Sequence, residues 1–138
     1  MRVMDTCSAL VPGTRDAMGW RVGDHGFEMT LGAQVPAVIE QHLPAFVDAM
    51  LARQGLTVEQ VGSWAIHPGG PRVLDAVERC LALGPAADVS REVLAARGNM
   101  SSASVLFILE RLRHQNAAPP TLMLAFGPGL SIEAALLG

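Results

Sequence analysis

The sequence predicts an α/β domain with a mixed sheet packed against helices. Apolar runs of strand length stand at both ends of the chain, segments with helical spacing lie between them, and Pro or Gly marks most junctions. The predicted order is strand, strand, helix, strand, helix, helix, helix, strand, strand. Its 138 residues suit one domain, and the 50% hydrophobic content can form a sizeable core.

The two strands predicted near the N-terminus rest on different patterns. Residues 3–11 form a mostly apolar run that Pro12 and Gly13 stop, as in a buried strand that enters a turn. Residues 26–31 alternate apolar and polar side chains, which is typical of a half-buried strand. The segment 14–26 has three glycines and several charges without a sustained period, so no element is predicted there.

The middle of the chain predicts a long helix followed by a strand. Apolar residues recur at three- and four-residue spacing over 35–51, up to a glycine stop. Pro44 lies inside this pattern and should kink or break the helix. Thr57 and Gln60 have capping-box spacing for a short helical turn. Residues 63–67 are predicted to be a strand that ends in a Pro-Gly-Gly-Pro turn.

Three helices and a hairpin are predicted after this turn. The helices begin at Pro71, at Asp88 and at Ser101 or Ser102, where either serine can act as the cap. The third carries apolar residues around its whole circumference, which predicts burial on all sides. Residues 121–126 and 130–137 are two apolar strands, and the Gly-Pro-Gly turn between them predicts a hairpin.

Composition argues against several classes of function. Ten basic and 13 acidic residues, with no basic run, lack the electrostatic footprint of a nucleic-acid binder. The N-terminus does not resemble a signal peptide, and no apolar stretch approaches the roughly 18 residues of a membrane span, so we expect a soluble, cytoplasmic protein. Cys7 and Cys80 are interpreted as packing residues of a reduced protein. The four histidines have no metal-ligand spacing, so no metal is expected.

Two polar residues stand where α/β proteins place functional groups. His67 follows a predicted strand at a Pro-Gly-Gly turn, and ligands collect at strand ends. Asn99 lies between a glycine that stops one helix and the start of the next, where an oriented amide can stabilise a developing oxyanion. Each residue taken alone is also explained by turn conformation.

Three segments resemble the type III polyketide synthases of the chalcone synthase family. They are Trp64-Ala-Ile-His-Pro-Gly-Gly-Pro71, Arg97-Gly-Asn-Met-Ser-Ser-Ala-Ser104 with the following Val-Leu-Phe-Ile-Leu, and Ala125-Phe-Gly-Pro-Gly129. The spacing between the segments agrees as well, and the similarity covers essentially the whole chain. The resemblance implies the C-terminal half, residues 1–138, of a thiolase-like fold, without the half that bears the nucleophilic cysteine.

The resemblance also implies a reaction and roles for His67 and Asn99. In this family a cysteine takes an acyl-CoA starter as a thioester and condenses it with carbanions from decarboxylating malonyl-CoA. His67 matches the histidine that keeps this cysteine a thiolate, and Asn99 matches the asparagine that, with the histidine, holds the malonyl thioester oxygen. No cofactor other than the CoA thioesters is implied.

Further positions match the substrate cavity and the CoA site of the family. Gly69 and Arg72 lie in the CoA-proximal turn. Trp20 and Met29 stand where plant enzymes have a pocket glycine and a gatekeeping phenylalanine, so the cavity should differ from a chalcone-forming one. The expected cavity residues are Trp20, Met29, Ser101, Phe126, Gly127, Pro128 and Gly129.

The absent nucleophile leaves more than one function open. Neither cysteine aligns with the family nucleophile, so the chain alone is expected to be inactive. The leading hypothesis is half of an acyltransferase that pairs with an N-terminal half or self-associates, as part of a homodimer. A non-catalytic pairing module derived from the same fold is the alternative of another class. A fragment of a ketoacyl synthase III-like enzyme is the third hypothesis.

Overall fold

The computed structural model describes residues 1–138 as six strands and four helices. The strands are β1 Val3–Leu10, β2 Met18–Gly23, β3 Gly26–Leu31, β4 Ser63–Ile66, β5 Thr121–Gly127 and β6 Ser131–Leu137. The helices are α1 Val35–Ala52, α2 Pro71–Cys80, α3 Asp88–Arg97 and α4 Ala103–His114, with a short 3₁₀ turn at Val58–Gln60.

Four of the strands form one mixed sheet in the order β1-β6-β5-β4. β4 runs parallel to β5, whereas the β5–β6 and β1–β6 pairs are antiparallel. The parallel β4–β5 pair requires a long crossover, and α2, α3 and α4 lie in that connection. The predicted α/β fold with a mixed sheet is confirmed.

The main core lies between one face of this sheet and the helices α1 and α2. Leu43 and Val47 of α1 and Leu74 of α2 are fully buried and belong to the same cluster as Leu124 of β5. Their spacing along each helix follows the apolar face that predicted the helices. The Thr57 N–H donates to Gln60 Oε1 at 2.8 Å, as the capping-box spacing predicts.

Pro44 does not break α1, which continues for 18 residues. The prediction of a break is wrong, and the neighbouring side chains explain why. Leu43 and Val47 are completely buried on either side of the proline, and Pro44 itself is only partly buried. Burial of the apolar face therefore outweighs the one backbone hydrogen bond that proline removes.

A second, smaller core lies on the opposite face of the sheet, where α3 and α4 cover β4 and part of β5. Its buried members are Ala65, Val93, Ile108 and Leu112. The prediction that α4 is buried on all sides is wrong, because Leu106 is 61% exposed and only Ser104, Ile108 and Leu112 are buried. The apolar circumference of α4 thus exceeds what this chain covers.

The strands β2 and β3 form a separate two-stranded hairpin that does not hydrogen-bond into the main sheet. The β2 strand was not predicted, since glycines and charges hide its alternation. Antiparallel pairing sets Trp20 opposite Met29 and Val22 opposite Phe27. These pairs occupy one face of the hairpin, and Arg21 and Glu28 form an ion pair on the other.

None of the four helices is both long enough and apolar enough to cross a membrane.

Candidate functional site

His67 follows the last residue of β4 at the edge of the buried sheet. Its backbone N–H donates to the Leu124 carbonyl at 2.7 Å, which extends the β4–β5 ladder by one bond. The Gly69 N–H then donates to the His67 carbonyl at 2.9 Å and closes the turn that leads into α2. Both bonds fix the backbone at His67.

The imidazole of His67 is half-buried and points into solvent-accessible space. Its ring makes no side-chain hydrogen bond, and no buried side-chain nitrogen or oxygen in the protein lacks a partner. The ring nitrogens are therefore open to solvent and to a ligand. Burial lowers the pKa of His67 below its ordinary value of 6.5, so the ring is neutral at pH 7.

Asn99 sits in a short connection between α3 and α4 that local hydrogen bonds hold. The Ser101 N–H donates to Asn99 Oδ1 at 2.8 Å, and the Met100 N–H donates to Ser104 Oγ at 2.8 Å. Gly98 ends α3 with φ +72°, and Ser101 has φ +58°, so the chain turns sharply at both ends of the connection. The acceptor end of the Asn99 amide is occupied, which leaves its NH₂ group free to donate.

The serine predicted to cap α4 does not do so. The N-cap, Ser102, makes no capping hydrogen bond, and Ser104 fixes the preceding turn instead.

The side chains of His67 and Asn99 line the same cleft, whose volume is about 230 Å³. The cleft is bounded by Met18, Trp20, Met29, His67, Asn99, Ser101, Ser102, Ala125, Phe126, Gly127, Pro128 and Glu133.

Eight of the nine residues predicted as catalytic or cavity residues line this cleft, and the ninth, Gly129, does not. Gly129 instead joins the hairpin to the Gly-Pro-Gly turn, because its N–H donates to the Met18 carbonyl at 3.2 Å. A side chain at Gly129 would meet Leu10 Cδ1 at 2.6 Å, and the residue has φ +120°. Gly129 therefore helps to hold the residues of the cleft wall in place, although it does not line the cleft itself.

Thr14 fastens the same turn to the end of β1. Its hydroxyl accepts a hydrogen bond from the Leu130 N–H at 2.7 Å and lies 2.7 Å from the Val11 carbonyl. These contacts hold the β5–β6 turn against the loop that leads into the hairpin. The hairpin is thereby placed at the cleft, where Trp20 and Met29 form an apolar wall opposite the polar pair.

Gly69 and Arg72 lie in a neighbouring cleft of about 180 Å³. The Arg72 guanidinium is exposed and donates to the Ala33 carbonyl at 3.4 Å. A narrow space of about 20 Å³, lined by Leu31, Gly69 and His67 among others, shares residues with both clefts. The two clefts therefore adjoin each other between the first turn of α2 and His67.

Residues 2–138 match the family of chalcone and stilbene synthases, C-terminal domain. The chain belongs to this family. It is a type III polyketide synthase C-terminal domain, as the sequence motifs predict.

Relatives and solved structures agree with this assignment. The chain is 41% identical to 1,3,6,8-tetrahydroxynaphthalene synthase of Streptomyces peucetius subsp. caesius over 98% of its own length and 37% of that protein. PKS-I from the brown alga Ectocarpus siliculosus superposes with a TM-score of 0.91 at 30% identity, covering 96% of this chain and 38% of that one. The C-terminal type III domain of Steely1, a type I/III hybrid from Dictyostelium, gives 0.88 at 33% identity, with 97% and 39% covered. The synthase domain thus spans less than two fifths of the length of these proteins.

No thiol lines the cleft of this synthase domain. Cys7 lies on β1 and Cys80 on α2, both are free, and both pack partly buried against the main core. Burial, with a smaller contribution from Glu40, raises the pKa of the Cys80 thiol to about 11. A thiol with this pKa stays protonated at neutral pH, so Cys80 is not an activated nucleophile.

Glu133 is the cleft residue that the sequence motifs missed. It is the one carboxylate among the residues that line the cleft, and its Oε1 accepts a hydrogen bond from Ser8 Oγ at 2.8 Å. The signal for it was a lone charge within the apolar strand β6, between Ile132 and Ala134. Met18 was not predicted as a cleft residue because β2, the strand that carries it, was not predicted.

Proposed function

We propose that this chain forms the enolate-stabilising half of a type III polyketide synthase active site. The complete enzyme condenses an acyl-CoA starter with malonyl-CoA by decarboxylative Claisen chemistry. The observation that carries the proposal is the common cleft of His67 and Asn99, in which the Asn99 amide is fixed with its NH₂ group free. Two preorganised donors at one cleft suit an oxygen on which negative charge develops.

Decarboxylation is the step that these two donors assist. When the bond between Cα and the carboxylate of malonyl-CoA breaks, CO₂ leaves and the bonding electrons pass to Cα and the thioester oxygen. His67 and Asn99 donate to that oxygen as the enolate forms. The enolate carbon then attacks the acyl thioester, and the thiolate that held the acyl group leaves.

His67 also serves the nucleophile, which another polypeptide segment must supply. The neutral imidazole accepts the proton of an approaching cysteine thiol, and the resulting imidazolium and thiolate stabilise each other. The low pKa of His67 suits a base that is unprotonated before the thiol arrives. Cys7 and Cys80 lie outside the cleft, so the chain alone does not take this step.

The cavity residues and the neighbouring cleft fit the remaining parts of the substrates. Trp20 and Met29 bound the space for the growing chain, together with Ser101 and the turn after Phe126. Arg72 stands on the first turn of α2, where a guanidinium and the helix N-terminus both favour a phosphate of CoA. Gly69 lines both this cleft and the narrow space that it shares with His67.

The proposed partners follow from the same reaction. Acyl-CoA and malonyl-CoA are substrates, and no further cofactor takes part. The domain works with an N-terminal synthase half, within a homodimer. We place the protein in the cytoplasm, where a reducing environment suits the two free cysteines.

A chimeric enzyme tests the proposal. This chain replaces the corresponding C-terminal 37% of the Streptomyces relative. The chimera and the isolated chain are each given an acyl-CoA and malonyl-CoA, and free CoA and product are measured. We expect turnover from the chimera only, and a loss of about 10²-fold or more in the chimera with Asn99→Ala.

The matched control is Gln115→Ala, which removes an exposed side-chain amide after α4 that does not line the cleft. Turnover by the isolated chain, or an Asn99→Ala chimera as fast as the control, would contradict the proposal. A folded but inactive chimera would favour the non-catalytic pairing module.

A further inference from the structure

β4, the strand that ends just before His67, lies at an edge of the main sheet. Successive backbone N–H groups of a strand point to opposite sides, alternately toward the neighbouring strand and away from it. The Ser63 N–H donates to the Pro120 carbonyl at 3.2 Å, and the His67 N–H donates to the Leu124 carbonyl at 2.7 Å, both on the β5 side. The Ile66 N–H, one residue before His67, therefore points toward the free edge.

Ser90 of α3 supplies the partner for this N–H. Its Oγ accepts a hydrogen bond from the Ile66 N–H at 3.3 Å, and both residues are completely buried. No other hydrogen bond joins α3 to the main sheet. Because a buried N–H without a partner is costly, loss of the Ser90 hydroxyl should loosen the end of β4 next to His67.

The other contacts between α3 and β4 are apolar. Val93, one helical turn after Ser90, belongs to the smaller core together with Ala65 of β4. Apolar packing is not directional, so it does not define how far α3 is shifted along the strand. The Ser90 hydrogen bond joins two defined atoms, and it therefore fixes which part of α3 faces the end of β4.

α3 carries the second donor of the cleft beyond its other end. From Ser90 to its last residue, Arg97, the helix rises about 10 Å, and Gly98 and Asn99 follow directly. The hydrogen bond from the Ser101 N–H orients the Asn99 amide within its own connection. The separation between this amide and His67 depends instead on how α3 is placed against β4.

α2 holds the first turn of α3 from the other side. Glu78 of α2 accepts a hydrogen bond from the Ala87 N–H at 2.8 Å and pairs with the Arg91 guanidinium. Arg91 also donates to Asp75 of α2 at 2.8 Å. Because Arg91 follows Ser90 directly, Ser90 lies on a turn that α2 already fixes, and it can serve as an anchor for the end of β4.

We propose that Ser90 is a positioning residue of this synthase domain, whose hydroxyl anchors the end of β4 on α3 and thereby sets the separation of His67 and Asn99. Ser90 does not line the cleft, so it acts only through these two residues. The consequence for catalysis rests on the proposed function, whereas the anchor at Ile66 is measured on the chain without substrate.

Amide hydrogen exchange of the full chain, followed by NMR, tests the anchor. The variants are Ser90→Ala and the pair Ser90→Thr and Ser90→Val, whose side chains have the same shape and differ in the hydroxyl. Relative to the Val47 amide in α1, the Ile66 amide should exchange roughly tenfold or more faster in Ser90→Ala and Ser90→Val, but not in Ser90→Thr. Because a loss of global stability accelerates both amides, the ratio of their rates isolates the local effect.

Ser63→Ala is the matched control. Ser63 is a buried serine at the start of β4, and its hydroxyl lies 2.7 Å from Thr121 Oγ1. This substitution should leave the ratio of the Ile66 and Val47 rates unchanged. The proposal would be overturned if neither Ser90→Ala nor Ser90→Val raised the ratio, or if Ser63→Ala raised it as much.

The chimera with the Streptomyces relative measures the consequence for catalysis. Because Ser90 places the donors without touching substrate, Ser90→Ala should lower kcat about 10- to 100-fold with little change in KM, and Ser90→Thr should restore kcat. An unchanged kcat beside a fast-exchanging Ile66 would overturn the positioning role. An unmodified chimera without turnover would contradict the proposed function, and the exchange ratio of the isolated chain would still decide whether Ser90 anchors β4.

Discussion

Two surfaces of this domain are built from the same kinds of side chain and have opposite environments. The face that α1 and α2 share with the sheet buries Leu43, Val47 and Leu74 completely. The apolar face of the β2–β3 hairpin leaves Val22 77% exposed and Phe27 74% exposed. Large apolar side chains therefore stabilise the fold where α1 and α2 pack on the sheet, but not on the apolar face of the hairpin.

The contrast indicates what each surface is for. Burial stabilises the first by about 1.5–3 kcal/mol for each large aliphatic side chain, and the hairpin gains almost none of this. Exposed apolar residues that lie on one continuous face are typical of a binding surface. Because the hairpin also supplies Trp20 and Met29 to the cleft, its apolar face belongs with the site.

The largest effect on stability is expected from the buried surface. Leu74→Ala should lower the free energy of unfolding by about 2–5 kcal/mol, because it removes fully buried methyl groups and leaves a cavity between α2 and the core. Urea unfolding followed by circular dichroism measures the change. A loss below about 1 kcal/mol would show that the core relaxes around the site.

Cys80 tests the same surface through its reactivity. With a pKa of about 11, Cys80 has a thiolate fraction at pH 8 about 10²-fold smaller than a thiol with the ordinary value of 9.0. Alkylation by iodoacetamide, resolved by peptide mass spectrometry, should be correspondingly slow at pH 8 and should accelerate up to about pH 11. A rate that levels off near pH 9 would show that burial does not govern this thiol.

The smallest effect is expected from the hairpin tip. Phe27→Ala should change the free energy of unfolding by no more than about 0.5 kcal/mol, although the same substitution in a core costs about 3–5 kcal/mol. The measurement is the urea titration used for Leu74→Ala. A loss above 2 kcal/mol would mean that this chain or a second copy covers the hairpin.

Local patterns predicted the elements whose partners lie nearby in the sequence. α3 begins at Asp88, as predicted, and ends at Arg97 before the glycine that stops it. The β5–β6 hairpin follows from two apolar runs and the turn between them. Helical spacing and turn chemistry were sufficient because these elements need few distant contacts.

One miss was local: β2 pairs with β3 across a short turn, but glycines and charges hide its alternation. The other misses came where a distant partner decides the structure. α4 is apolar all round, yet its outer flank at Leu106 has no partner within the chain. Local patterns indicated His67 and Asn99 separately, the family resemblance implied that they act together, and the fold places both in one cleft. Glu133 and Met18 lie in the same cleft because of the register of their strands, and no local sequence pattern predicts that register.

The connection from Gly98 to Ser104 has a consequence for how firmly the Asn99 amide is oriented. Its hydrogen bonds join Asn99 to Ser101 and Met100 to Ser104, so the amide is oriented by contacts within six residues. The direction of this donor therefore depends on the connection itself, and a substitution in the distant main core should lower the stability of the domain without turning the amide.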